Sequence, residues 1–166
     1  MQAHFFKESR TMYLRPLFLT LVALSGATSA NAFGDFPLAS CKANNGTIVE
    51  INGVNTNKAF MKGIITKADI NEYCERDPGG TTTKYGGKLT VNQCVAEYYA
   101  KQKNVEIQTT AHCGAQTLSF RYNQEPAVNV KFPLAPGSDQ SCASGMPPLI
   151  SQFIILCPKT AQRLKM

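Results

Sequence analysis

KLTVNQCVAEYYAKQKNVEIQTTAHCGAQTLSFRYNQEPAVNVKF, residues 88–132, is the stretch whose reading decides the fold. Thr90 with Gln93 three residues on is a capping box, each side chain satisfying a free amide of a helix start, and Leu89 can staple onto position 94. A helix therefore begins at Val91. Val91, Cys94, Val95, Tyr98 and Gln102 share one stripe of it, while Asn92, Glu97, Lys101 and Lys103 face away. Val105, Ile107, Thr109, Ala111 and Cys113 then alternate with Glu106, Gln108, Thr110 and His112, which is the period of a strand. Gly114-Ala115 reads as a two-residue type II′ turn, with glycine where a positive φ is needed. That turn sets Ala111 opposite Leu118, Thr109 opposite Phe120 and Ile107 opposite Tyr122, so the apolar members land on one face. Asn123 to Pro126 is a second turn, and Val128, Val130 and Phe132 carry the apolar face onto a third strand.

Upstream, Thr66 with Asp69 caps another helix, with Ile65 and Ile70 as its hydrophobic staple and Ile70, Tyr73 and Cys74 as its buried stripe. It ends near Asp77-Pro78, because the residue before a proline avoids the helical region. Thr47 to Ile51 is a short strand candidate; Ala59 to Ile65 is apolar but too short for its period to decide. Leu149, Ile150, Phe153, Leu156 and Cys157 fit a helix between flanking prolines, with a buried strand over 153–156 as the competing reading, and Thr160 to Met166 reads as a polar tail. The fold class that follows is α+β: an antiparallel meander of three to four strands with two to three helices packed on one face, stapled by disulfides.

Residues 1–32 have the form of a cleaved secretory signal. Lys7, Arg10 and Arg15 precede an apolar run from Leu17 to Leu24 and a small-residue site, Ala30-Asn31-Ala32, and the run is too short to anchor the chain across a membrane. Residues 33–166 are then a single domain, placed in the periplasm or outside the cell. All six cysteines, Cys41, Cys74, Cys94, Cys113, Cys142 and Cys157, lie in that domain. An even count behind an export signal predicts disulfides. The expected pairing joins neighbours: Cys41 with Cys74, Cys94 with Cys113, and Cys142 with Cys157. No two cysteines have metal-ligand spacing and His112 is the only histidine after residue 32, so neither a metal nor a cofactor is expected.

The chain has 17 Lys and Arg against 11 Asp and Glu, a net charge of +6, without the basic run or basic-aromatic stripe that tracks nucleic acid. Glu106, His112 and Arg121 are the residue types of a small ribonuclease, but Glu106 and His112 stand about 20 Å apart on one strand, too far to share a substrate. No catalytic residue is assigned on that face, which reads as polar, flat and short of aromatic anchors. Glu72, Glu75 and Asp77 bunch at a helix end and are the one enzyme signal, that of a small polysaccharide or peptidoglycan hydrolase with paired carboxylates. Asp77 to Lys88 is a long glycine- and threonine-rich connection, and connections of this length are often functional. Arg76, Thr81, Thr82, Thr83, Lys84, Tyr85 and Lys88 are its candidate partner-binding residues. The function that follows is an exported, non-enzymatic protein that binds a protein or a cell-envelope polysaccharide.

Overall fold

The structure, a computed structural model, describes residues 33–38, 45–76, 79–135 and 146–166. The expected signal sequence, Asp77, Cys41 and Cys142 lie outside those residues. Six strands form one curled antiparallel sheet in sequential order: β1 (Asp35–Phe36), β2 (Gly46–Asn52), β3 (Ala59–Ile64), β4 (Glu106–His112), β5 (Thr117–Tyr122) and β6 (Val128–Lys131). Helices α1 (Lys67–Arg76) and α2 (Val91–Gln102) form an excursion between β3 and β4, while α3 (Pro148–Leu156) and α4 (Pro158–Arg163) follow the sheet.

The α+β class and the disulfide stapling hold, but the strands number six, not three to four. The additional strands continue the meander on the β4 side. Inward residues of β3 pair with those of β4 as Ala59 with Ala111, Met61 with Thr109 and Gly63 with Ile107. Two of the inward β3 residues are small, which blunts the alternation that marks a strand. Gly63 is small because the Phe36 ring occupies the space above it; a Cβ there would lie 2.5 Å from Phe36 Cδ2.

The β4–β5 register is the expected one, with Ile107 opposite Tyr122, Thr109 opposite Phe120 and Ala111 opposite Leu118. The turn differs. The positive φ falls on Gln116, at 59°, and Gly114 instead serves a close approach, its amide donating to Asn57 Oδ1 at 2.9 Å where a Cβ would meet the same atom. His112 still pairs with Thr117, so the loop keeps the expected length and with it the expected register, although its conformation differs.

Both helix starts carry reciprocal caps. The Gln93 amide donates to Thr90 Oγ1 at 3.2 Å and the Thr90 amide to Gln93 Oε1 at 2.9 Å. At α1 the Thr66 amide donates to Asp69 Oδ2 at 2.7 Å and the Asp69 amide to Thr66 Oγ1 at 3.1 Å, while Thr47 on β2 donates to the same carboxylate. The helix that lies closest across β3, β4 and β5 is α3. Gln152 is fully buried there, accepting from Thr109 Oγ1 at 2.8 Å and donating to the Pro37 carbonyl at 2.7 Å. Phe153 packs on Phe132 with ring centroids 4.3 Å apart. The tail expected over residues 160–166 is not all irregular: residues 158–163 form α4, whose Thr160 and Ala161 are buried.

The neighbour pairing of cysteines is overturned: Cys74 bonds Cys94, and Cys113 bonds Cys157, with Cα separations of 5.9 and 5.4 Å. The stripes of α1 and α2 face each other, which brings Cys74 to Cys94 and sets the Tyr73 and Tyr98 rings 5.4 Å apart. Cys113 extends the inward alternation of β4 to the end of α3, where Cys157 stands.

Candidate functional site

The connection from α1 to α2 is built, over its described residues, as a tight knuckle. Thr83–Tyr85 is a 3-10 turn, and Thr82 makes a parallel bridge with Leu89. The Thr82 carbonyl accepts from the Tyr85 and Gly87 amides at 3.0 and 2.8 Å, the Thr81 carbonyl from Lys88 and Leu89 at 3.0 and 3.2 Å, and the Thr83 amide donates to the Leu89 carbonyl at 2.8 Å. Gly87 is required by this folding back, since a Cβ would overlap the Thr81 carbonyl. The connection is thus ordered over residues 79–88. Backbone hydrogen bonds between its own two ends replace the regular pattern that sequence periodicity detects.

The sequence-assigned residues divide on this knuckle. Thr82 is fully buried and Thr81 half-buried, so neither presents an open hydroxyl surface; Thr83, Lys84, Tyr85 and Lys88 are exposed. Tyr85 is 47% exposed, its hydroxyl 3.4 Å from the Glu75 carbonyl at the end of α1. Lys84 Nζ donates to the same carbonyl at 3.5 Å and stands 5.1 Å over the Tyr85 ring. Arg76 is turned to Glu72, its guanidinium 2.9 Å from the carboxylate. Glu72 and Glu75 both lie on exposed helix surface.

Glu106, His112 and Arg121 are kept apart by the register, since Arg121 stands opposite Gln108 and Glu106 is paired with Lys62 at 2.9 Å. The sheet face they share is not flat. Its end nearest His112 is hollowed into an open groove of about 610 Å³ across β3, β4, β5 and β6. Two cross-strand rows line it. His112, Thr117 and Lys131 form one, and Phe60, Thr110, Ser119 and Asn129 the other. Lys58 and Asn57, just before β3, close one side. His112 Nδ1 accepts the Ala115 amide at 2.9 Å, which fixes the ring and leaves Nε2 as its remaining polar atom.

Sequence reasoning missed Lys58, Phe60 and Asn57 as members of this face because β3 was unassigned. The signal was Phe60 and Lys62 alternating with Met61 and Gly63.

A second, smaller cleft of about 100 Å³ lies among Ile65, Ile70, Tyr73, Tyr98, Gln102 and Tyr122. Burial there raises the Tyr122 phenol above its ordinary value, while its 2.6 Å hydrogen bond to Gln102 Oε1 pulls the other way and Glu125 pushes up again. Among the described residues no group of three or more His, Cys, Asp or Glu stands ready to hold a metal ion, and no helix is long and apolar enough to cross a membrane. Comparison with family models, with curated proteins and with solved structures finds no match for the chain.

Proposed function

We propose that the protein is a small exported, non-enzymatic binding module that docks another macromolecule, a protein or a cell-envelope polysaccharide, through the knuckle at residues 79–88. Two intramolecular disulfides fit an oxidising compartment, the periplasm or the outside of the cell. The observation that carries the reading is Tyr85, an aromatic 47% exposed on a loop already ordered by its own backbone. Such a side chain offers contact area while losing little conformational freedom on binding. Lys84 and Lys88 beside it, with Arg76 at the helix end, steer acidic surfaces toward it.

The hydrolase reading has less behind it. The Glu72 carboxylate is engaged by Arg76, and a glycosidase acid needs a sheltered setting rather than an exposed helix surface.

The test is retention of envelope extract on the immobilised, oxidised protein. Tyr85→Ala is expected to lower the retained material severalfold with an unchanged melting temperature, and Tyr85→Phe to keep most of it. Equal retention by Tyr85→Ala, or unfolding of that variant, removes the knuckle as the site. Release of sugars that disappears in Glu72→Gln or Glu75→Gln would instead establish the hydrolase.

A further inference from the structure

We propose that the groove across β3, β4, β5 and β6 binds an acidic saccharide, an oligomer of hexuronate units whose carboxylates are held by Lys58 and Lys131. This inference stands independently of the knuckle, because α1 and α2 leave the sheet from the Ile64 and Glu106 ends of β3 and β4, whereas the groove occupies the Ala59 and His112 ends.

Charge is the first reason. Among the described residues Lys58, His112 and Lys131 line the groove and no Asp or Glu does. Lys58 and Lys131 are both exposed, and neither has a carboxylate partner among the described residues. The basic groups stand apart. Lys131 lies on β6 and Lys58 just before β3, three strand spacings away, or about 14 Å. A single phosphate or sulfate would engage one lysine and leave the other unused. An extended ligand carrying one negative charge per unit reaches both.

The surface between the lysines supplies the second reason. Thr110, Thr117 and Ser119 present hydroxyls, each both donor and acceptor, as sugar hydroxyls are. Phe60, half-buried in the neighbouring row, offers an aromatic platform to the C–H face of a sugar ring. A single-stranded nucleic acid would want a series of aromatic platforms, and the described residues of this groove supply one, Phe60. An extended peptide would add along the backbone edge of β6, whereas this groove runs across the side chains of four strands. The volume of about 610 Å³ falls within the range of sites that enclose small ligands.

The experiment titrates trigalacturonate into the oxidised protein and follows backbone amides by NMR, with maltotriose and hexaglutamate as parallel titrations. Trigalacturonate is expected to shift the amides of Thr110, Thr117 and Ser119. Maltotriose should bind at least about tenfold more weakly, and Lys58→Ala or Lys131→Ala should each weaken trigalacturonate about fivefold. Tyr85→Ala should leave this affinity unchanged, which separates the groove from the knuckle. Both lysines are exposed, so their variants keep the fold, and they decide the matter where Phe60→Ala would also loosen β3. Absence of binding, shifts confined to residues outside the groove, equal binding of maltotriose or hexaglutamate, or full affinity in both lysine variants would overturn the proposal.

Discussion

The α1–α2 excursion and the α3–α4 arm are both helix pairs on one sheet, and they are held by opposite means. The excursion closes largely on itself: its disulfide spans a sequence separation of 20, its tyrosines stack on each other, and the cap of α2 is local. The arm closes on everything else. Its disulfide spans 44 residues, Gln152 reaches both β4 and the amino-terminal segment, and the β2–β3 connection grips its helix junction where the Asn55 amide donates to the Leu156 carbonyl and Asn55 Oδ1 accepts from the Lys159 amide. Local closure makes a unit that can loosen alone, and distributed closure makes one whose loss is global.

The strongest challenge to that contrast is removal of each disulfide in turn. Replacing Cys113 and Cys157 by Ala is expected to cost about 4 kcal/mol on the chain-entropy scale, against about 3 kcal/mol for Cys74 and Cys94. Hydrogen exchange should show the first loss throughout the sheet and the second mainly in α1 and α2. Exchange that rises equally everywhere in both variants would end the distinction. Gln152→Ala comes next. It strips partners from the buried Thr109 hydroxyl and the Pro37 carbonyl, and should lower stability by roughly 3 kcal/mol in denaturant unfolding.

Thr90→Ala removes the cap of α2 and should cost about 1 kcal/mol, with the extra exchange confined to the excursion. The smallest effect is electrostatic. Tyr122 joins the sheet to α2 through Gln102, and its folded pKa lies above the ordinary tyrosine value of 10.0. A raised phenol contributes stability that is whole below that value and is lost as pH rises through the folded pKa. Tyr122→Phe should therefore flatten the alkaline fall in melting temperature and lower the neutral stability only by the lost hydrogen bond to Gln102, about 1 kcal/mol or less.

How far the sequence spoke depended on the range of the interaction. Caps at Thr66 and Thr90 and the pairing of Ile107 with Tyr122 were legible because each rests on residues a few positions apart or on one alternating face. The placement of α3 over the sheet, and with it the partner of Cys113, was not, since it depends on packing across 43 and 44 positions. Strand β3 hid behind two small inward residues, Ala59 and Gly63, and the smallness of Gly63 is explained only by the Phe36 ring above it. The candidate surfaces followed the same rule. Tyr85 stood out within one loop, though Thr82 beside it turned out buried; the groove needs Lys58 and Lys131 from opposite sides of four strands, and no local pattern joins them.

The lid that α3 forms over β3, β4 and β5 has a consequence for a chain delivered from its amino end, whether by a ribosome or through a membrane pore. Cys74 and Cys94 are both available before the sheet is complete, so the excursion can close early. Strands β3, β4 and β5 lack the cover of α3 until residues 148–156 emerge, and Cys113 lacks its partner until Cys157 does. Until then the nascent protein shows apolar sheet surface that α3 would cover, and a thiol, the two features that chaperones and thiol oxidases attend to. A truncation a few residues short of Cys157 should therefore be retained as a client of such factors, although it contains every strand of the sheet.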